Sequence, residues 1–281
     1  MKKTIVALIY DFDKTLCDRD MQEYAFIPNL GITPDEFWNE TAALAKENKM
    51  DKILACMYMM KEKSAQLGKP LKRKDFVKLG DKVEFYPGII EWFSRINEYG
   101  NSFGIEIEHY IVSSGLKEII EGTKISKYFK EIYACEFLYN EEGYAIWPAM
   151  SVNYTTKTQF LSRINKGVLD ISDDKTLNTK MLDEERRIST KNMIYIGDGF
   201  TDIPSMRMVR EKGGYAIAVY QKNKIDIVKD LLKEDRVDYT VPTNYCENSP
   251  IDTLVKEILN EMKISTNLRE KHKTQLKNFE I

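Results

Sequence analysis

Short apolar runs that alternate with helix-forming segments constrain the fold of this chain more than any other feature. The run 4–10 (TIVALIY) is continuous and rich in β-branched residues, as expected for a strand buried on both faces of a parallel sheet. The alternation predicts a doubly wound, mostly parallel α/β sheet. The predicted strands are 4–10, 105–112, 192–196, 215–220 and, more weakly, 237–241; the predicted helices are 89–98, 116–123, 157–165, 202–210, 224–233 and 251–262.

The interval 18–85 breaks this alternation, because it carries only helical patterns. Thr33, Pro34 and Glu36 form a helix start with a capping box. The methionines around Met57 are interpreted as core packing, since Met fills irregular gaps well. We predict a small all-helical domain at 18–85, inserted after the first strand into a core made of 1–17 and 86–281.

Three other segments depart from the alternation. Residues 137–147 surround the turn-forming stretch 140–143 and are interpreted as a hairpin. The densely charged segment 170–191 is interpreted as a loop with a short solvated helix. The polar stretch 265–281 is expected to form a surface helix or a frayed tail.

The charge balance and the cysteine pattern limit which binding partners and which cellular compartment this protein can have. The 281 residues include 42 Lys and Arg against 44 Asp and Glu, for a net charge of -2, which argues against a broad basic surface for nucleic acid. No run approaches the ~18 apolar residues that span a bilayer. The four scattered cysteines form no CxxC pair, which favours a reduced compartment. We expect a cytoplasmic protein without nucleic-acid or membrane partners; its oligomeric state is left open.

The first apolar run ends in two carboxylates, Asp11 and Asp13. Residues i and i+2 of an extended segment face the same way, so both side chains can point at one spot. Such a pair is suited to metal binding or to nucleophilic and acid–base work. A solvated turn with a helix cap is the alternative.

Two later runs also end in polar residues. Ser113, Ser114 and Gly115 follow the second run just before a predicted helix, where a hydroxyl and backbone N–H groups suit an anion such as phosphate, or simply cap the helix. Asp198 and Asp202 flank the turn after the run 192–196 and offer the hard oxygen ligands that Mg²⁺ prefers.

Lys157, at the start of a predicted helix, becomes a candidate site residue because of the four acidic residues expected near it. If Asp11, Asp13, Asp198 and Asp202 converge, their mutual repulsion raises their pKa values unless cations intervene. A divalent metal and one lysine would offset that repulsion and attract a phosphate dianion.

Along the chain these residues form four motifs that resemble, in the same order, those of the haloacid dehalogenase-like superfamily on its phosphatase branch. The four motifs are the acidic pair Asp11 and Asp13, then Ser113, then the helix-opening Lys157, and then the acidic loop with Asp198 and Asp202. The resemblance covers roughly 4–17 and 86–245, and it implies a Rossmann-like core. The helical insertion is similar to the C1-type cap of phosphoserine-phosphatase-like members. The resemblance implies a Mg²⁺-dependent phosphomonoester hydrolase that acts on a small phosphorylated metabolite through an aspartyl-phosphate.

The resemblance also implies roles for individual residues. Asp11 is the expected nucleophile, and Asp13 the acid that protonates the leaving oxygen and later activates water. An acid at position 13 favours phosphatases or phosphomutases, because an alkoxide leaving group needs a proton. The residues expected to contact the phosphoryl group are Ser113, the neighbouring groups of Ser114 and Gly115, and Lys157. The expected Mg²⁺ ligands are Asp11, Asp198 and the backbone carbonyl of Asp13, and Asp202 is expected to complete or orient this coordination shell.

The substrate is less defined. Phosphoserine phosphatases usually carry Glu a few positions beyond the first motif, whereas this chain has Asp20 there, with a shorter reach. Asp20 is the candidate substrate-binding acid, while His109 and His272 are given no catalytic role. A phosphotransferase or phosphomutase that uses the same aspartyl-phosphate, and a non-catalytic Mg²⁺-binding interaction protein, are the alternatives.

Overall fold

The computed structural model describes residues 4–221 and 224–279, and within them seven strands form one sheet in the order β4-β3-β2-β1-β5-β6-β7. Neighbouring strands pair in parallel except β4, which is antiparallel to β3. This confirms the predicted mostly parallel α/β sheet. The strands are β1 Thr4–Tyr10, β2 Ile105–Leu116, β3 Phe129–Tyr139, β4 Ala145–Met150, β5 Met193–Gly197, β6 Tyr215–Tyr220 and β7 Tyr239–Pro242.

Helices cover both the connections between strands and the inserted interval. No helix in the described part of the chain is long and apolar enough to cross a membrane. The α-helices are α1 Phe26–Asn29, α2 Pro34–Asn48, α3 Lys52–Gln66, α4 Arg73–Leu79, α5 Ile89–Ser102, α6 Lys117–Glu121, α7 Lys157–Lys166, α8 Asp174–Asn178, α9 Ile203–Glu211, α10 Ile225–Lys233 and α11 Pro250–Asn278; short 3₁₀ turns lie at Met21–Glu23, Gly80–Lys82, Ser126–Tyr128, Thr190–Asn192 and Phe200–Asp202.

The centre of the sheet is the most deeply buried part of the core. Residues 6–10 of β1 and 193–196 of β5 are completely buried, which explains why both read as continuous apolar runs. Tyr10 pairs with Ile111 of β2 on one side and with Ile196 of β5 on the other. The carboxyl ends of these three parallel strands therefore lie side by side.

The strand β3 was missing from the predicted set. Its sequence, FKEIYACEFLY, has charged residues at 130, 131 and 136 that interrupt the apolar run, yet β3 pairs in parallel with β2. The predicted hairpin at 137–147 is confirmed as the β3–β4 connection. Its turn is closed by a hydrogen bond from the Gly143 N–H to the Asn140 carbonyl at 2.9 Å.

The predicted boundary between β2 and the following helix is wrong. Instead of ending at 112, β2 continues through Leu116, and α6 spans only Lys117–Glu121. An irregularity in the pairing between Val112 and Leu116 lets the strand absorb the residues between them. Ser113, Ser114 and Gly115 thus lie on extended chain and not at a helix N-terminus, contrary to the prediction.

The interval 18–85 contains helices α1–α4 and 3₁₀ turns. The capping box is confirmed, since the Glu36 N–H donates to Thr33 Oγ1 at 3.2 Å and the Thr33 N–H donates to Glu36 Oε2 at 2.7 Å. An isolated bridge pairs Cys17 with Phe85, so the chain leaves and re-enters the core at one place.

The C-terminal helix is longer than predicted. Residues 251–262 pack their apolar face on the core, and α11 then continues to Asn278 with largely exposed side chains such as Leu268. Of the two structures expected for 265–281, the surface helix is the one observed, over 265–278. Residues 1–3, 222–223 and 280–281 of the predicted core lie outside the described residues.

The charged segment 170–191 is a loop that contains the short helix α8, as predicted, and an ion pair between Arg187 and Glu108 joins it to the sheet. Arg187 donates to both carboxylate oxygens of Glu108 on β2, and Tyr110 donates to the same carboxylate at 2.6 Å. Burial disfavours ionisation of Glu108, but these hydrogen bonds outweigh burial and lower its pKa to about 2.

The substitution Glu108→Gln should destabilise the fold in a pH-dependent way. Because the folded-state pKa of about 2 lies below the ordinary 4.5, the stabilising contribution is complete above pH 4.5 and is lost as the pH falls toward 2. We expect the variant to lose about 2 kcal/mol of unfolding free energy at neutral pH. Urea unfolding across the acid range measures this, with exposed Glu106→Gln on the same strand as control; a pH-independent difference would contradict the argument.

Candidate active site

A cavity of about 530 Å³ opens where the carboxyl ends of β1, β2 and β5 meet. Its size lies within the roughly 300–1,000 Å³ of small-molecule sites. The core side of its wall is formed by residues from all four sequence motifs, while α2 and α3 form the opposite side. The sequence-predicted residues that line it are Asp11, Asp13, Asp20, Ser113, Ser114, Lys157 and Asp198.

Lys157 lies between two carboxylates at the floor of this cavity. Its Nζ donates to Asp11 Oδ1 at 2.8 Å and to Asp202 Oδ1 at 2.7 Å, and the lysine is 1% exposed. Burial alone would lower the pKa of Lys157, but the two carboxylates outweigh it and hold the pKa well above its usual value. The first residue of α7 is therefore a fixed buried cation, as the sequence predicted from its company.

Three carboxylates form a compact acidic cluster beside this lysine. Asp11, Asp198 and Asp202 each offer an oxygen within 4.8 Å of the others. Burial, followed by repulsion from neighbouring carboxylates, raises the pKa of Asp11 to about 6 and that of Asp198 to about 8. Asp202 Oδ2 is buried and has no hydrogen-bond partner among the residues that the structure describes. Hard oxygen donors with excess negative charge and one orphaned oxygen fit a divalent cation such as Mg²⁺.

Asp13 lies on the cavity wall in a different setting. Its Oδ1 accepts a hydrogen bond from the Met21 N–H at 2.8 Å. Burial, with repulsion from Asp20 and then from Asp11, raises the pKa of Asp13 well above its ordinary value. This carboxyl is consequently suited to carry a proton near neutral pH, which an acid catalyst requires.

The Ser113–Gly115 segment lies beside Asp13. Ser113 Oγ accepts a hydrogen bond from the Gly115 N–H at 3.0 Å, and the Leu116 N–H points to Met21 Sδ at 3.1 Å. Unlike Ser113 and Ser114, Gly115 does not line the cavity. A Cβ on Gly115 would lie 2.0 Å from Met21 Cε and 3.0 Å from Asp13 Oδ2, so the glycine makes room for both neighbours.

Two contacts at the site were not predicted from the sequence. Lys14 Nζ pairs with Asp20 Oδ2 at 2.6 Å, and Tyr195 OH donates to Asp202 Oδ1 at 2.7 Å. Lys14 has a left-handed backbone, with φ 58°, which turns the chain after Asp13. Tyr195 lies inside an apolar strand, where no sequence signal distinguishes it from core packing.

Gly197 should be intolerant of a side chain, in contrast to nearby Gly199. A Cβ at Gly197 would lie 2.5 Å from Asp202 Oδ2. The Asp202 side chain cannot move away without breaking its hydrogen bonds with Lys157 and Tyr195. We expect Gly197→Ala to lower the unfolding free energy by about 1–3 kcal/mol. A Cβ at Gly199 would meet nothing within 4 Å, so Gly199→Ala should change the unfolding free energy by less than about 0.5 kcal/mol. Urea denaturation distinguishes them, and equal effects would contradict this packing argument.

Comparisons with known proteins agree with this geometry. An uncharacterized protein of Borreliella burgdorferi is 27% identical over 283 residues, covering 91% of this chain and 97% of that protein. A HAD family hydrolase from Salmonella enterica serovar Typhi has a similar structure, with TM-score 0.58, 17% identity, and coverage of 92% of this chain and 72% of that one. A substrate-bound phosphoserine phosphatase gives TM-score 0.55, 16% identity and coverages of 92% and 99%, which show a shared fold.

A cytosolic 5′-nucleotidase IIIB bound to cytidine shares the fold as well, with TM-score 0.51, 15% identity, and coverage of 94% of this chain and 87% of that one. The family model of haloacid dehalogenase-like hydrolases matches residues 8–207, a span that begins within β1 and contains every motif residue described above. The chain therefore belongs to the haloacid dehalogenase-like hydrolase family.

Proposed function

We propose that this protein is a Mg²⁺-dependent phosphomonoester hydrolase that acts on a small phosphorylated metabolite through an aspartyl-phosphate at Asp11. The observation that carries the proposal is the placing of Asp11 between a buried lysine and the acidic cluster, on the wall of a cavity large enough for a small molecule. A cytoplasmic location remains a prediction from the cysteine pattern.

Asp11, Asp198 and Asp202 are the side chains that would hold the metal, with the backbone carbonyl of Asp13 as a further candidate ligand. When bound, Mg²⁺ would supply positive charge that offsets the charge of the cluster and of the phosphoryl oxygens. The orphaned Asp202 Oδ2 supports this assignment, because a buried carboxylate oxygen without a partner is costly.

In the first step, Asp11 attacks phosphorus in line with the ester oxygen. Lys157 holds Oδ1 of Asp11, which leaves the second carboxylate oxygen for attack. The new O–P bond forms as the ester P–O bond breaks, and the electron pair of that bond goes to the leaving oxygen. Asp13 donates its proton to this oxygen, so the alcohol departs neutral.

In the second step, the ionised Asp13 removes a proton from water. The water oxygen attacks phosphorus, the aspartyl O–P bond breaks, and inorganic phosphate leaves with Asp11 regenerated. Lys157 remains charged throughout and stabilises negative charge on the transferring group. If a sugar hydroxyl replaced the water, the same steps would give a phosphotransferase.

Ser113 and Ser114 are the proposed phosphoryl contacts from β2. Ser113 Oγ already accepts the Gly115 N–H, so its own hydroxyl hydrogen remains to be donated to a phosphoryl oxygen. The segment 18–85 is the proposed C1-type cap, because residues of α2 and α3 line the side of the cavity away from the sheet.

The substitution Asp11→Asn should abolish phosphate release, and chelation of Mg²⁺ by EDTA should do the same to the wild-type protein. The amide is a poor nucleophile and a weaker metal ligand than the carboxylate. Release of inorganic phosphate from p-nitrophenyl phosphate and from a panel of phosphorylated metabolites is the measurement.

The matched control is Asp18→Asn, which makes the same chemical change at an exposed residue outside the cavity. It should retain wild-type turnover. Equal turnover by wild type and Asp11→Asn across the panel would refute the proposed function. Transfer of phosphate to an added sugar in preference to water would replace hydrolase by phosphotransferase.

The substitution Asp13→Asn tests the acid–base role separately. For alkyl phosphates the rate should fall by about 10²–10⁴, because the alkoxide then leaves without a proton. p-Nitrophenolate needs no proton to leave, so the first step should survive with that ester while water attack stalls. We therefore expect a burst of about one p-nitrophenolate per active site in stopped-flow absorbance. Equal losses for both ester types, without a burst, would rule out this role.

A further inference from the structure

We infer that the substrate is a phosphomonoester whose alcohol part is a largely apolar, ring-bearing group with one hydrogen-bonding group that contacts Gln22. This inference rests on the proposed function and adds a substrate class to it. It arises from the cap side of the cavity, where α2, α3 and the turn Met21–Glu23 supply the lining.

The cap side of the cavity is dominated by apolar side chains. Trp38 of α2 and Ile53, Met57 and Met60 of α3 line it. Met57 is 2% exposed and Met60 is completely buried, so these thioethers lie behind the wall, and the half-buried side chains of Trp38 and Ile53 present its accessible apolar surface. Burial of a ring against Trp38 and Ile53 would remove apolar surface from water on both partners.

Gln22 is the polar exception on this wall. Its side chain lines the cavity and is 5% exposed, and its carboxamide makes no hydrogen bond with any residue in the described part of the chain. The carboxamide atoms are not among the fully buried polar atoms that lack a partner, so they are accessible from the cavity. The carboxamide is therefore available to a substrate group that donates, accepts or does both.

The other buried or half-buried polar side chains on the cap side are already engaged, and Lys52, which also lines the cavity, is exposed to solvent. Thr41 Oγ1 donates to the Phe37 carbonyl at 2.8 Å, and Trp38 Nε1 donates to Glu23 Oε1 at 2.7 Å. Asp20 is paired with Lys14 at 2.6 Å. Gln22 is thus the natural contact for a single polar group on an otherwise apolar substrate.

The same pairing argues against phosphoserine. Among the described cavity-lining residues from 18–85, Asp20 is the one acidic side chain, and Lys14 already neutralises it. A substrate ammonium would have to displace Lys14 to gain a carboxylate partner. A polyhydroxylated sugar would leave most of its hydroxyls against Trp38 and Ile53 without hydrogen bonds, which is unfavourable.

The test compares phosphate esters of alcohols with similar leaving groups. The probes are 2-(4-acetamidophenyl)ethyl phosphate, its 4-isopropyl analogue, phosphoserine and glycerol 3-phosphate, with acetyl phosphate as a small substrate that makes no use of the apolar wall. For the wild-type protein with Mg²⁺, we expect kcat/KM for both ring-bearing esters to exceed that for phosphoserine and glycerol 3-phosphate by at least about tenfold, consistent with ~1.4 kcal/mol of binding energy per tenfold.

Gln22→Met removes the carboxamide at similar volume. It should lower the ratio of kcat/KM for the acetamido ester to that for the isopropyl ester by about 3- to 10-fold, the range for one net hydrogen bond. Gln66→Met, at an exposed position of α3 outside the cavity, should leave this ratio unchanged. Thermal melting verifies that both variants are folded. If Gln22→Met does not fold, the comparison of esters with the wild-type protein still tests the inference.

The outcomes separate this inference from the proposed function. Hydrolysis of acetyl phosphate together with an equal or better rate for phosphoserine or glycerol 3-phosphate would overturn the substrate class and leave the phosphatase standing. An unchanged ester ratio in folded Gln22→Met would remove Gln22 from substrate recognition and overturn the inference. No hydrolysis of any of the esters or of the acyl phosphate acetyl phosphate would refute both.

Discussion

The buried ammonium group of Lys157 is the interaction on which the site depends. It bonds Asp11, at the end of β1, and Asp202, at the start of α9, and so joins three segments that are far apart in the chain. Without it, two buried carboxylates would face each other uncompensated, and a charge left unpaired by loss of a buried partner typically costs about 3–5 kcal/mol. The same ammonium group offsets part of the negative charge that the acidic cluster gathers at the floor of the cavity.

The parallel sheet supplies the geometry that this pairing needs. Because β2, β1 and β5 are neighbours and run in the same direction, the residues after their carboxyl ends gather at one edge. Gly197 and Gly115 then let side chains approach more closely than a Cβ would allow, Asp202 against the first and Met21 with Asp13 against the second. The geometry of the site therefore depends on the strand order, on the absence of a side chain at Gly197 and Gly115, and on the buried charge of Lys157.

The sequence predicted those parts that depend on local pattern. Continuous apolar runs identified the central strands, and the polar residues after them pointed to Asp11 and Asp198, since strand ends meet in a parallel sheet. Lys157 was singled out only because these carboxylates were expected to need a nearby cation. β3 was missed because Lys130 and Glu131 interrupt its apolar pattern while pairing with β2 decides its structure. The contacts of Gln22 and Tyr195 could not be predicted, because they arise only when distant elements pack together.

The antiparallel bridge between Cys17 and Phe85 has a consequence for how members of such a fold diverge. Both connections of the inserted segment leave the sheet side by side, and the Tyr86 N–H donates to the Leu16 carbonyl at 3.0 Å next to them. Whatever lies between these two points can lengthen, shorten or change its own packing without altering the path of β1 or α5. Met21 is the exception, because its N–H donates to Asp13 and its Sδ faces the Leu116 N–H. The rest of the segment is free to diverge while the ends of β1 and β2 keep their positions.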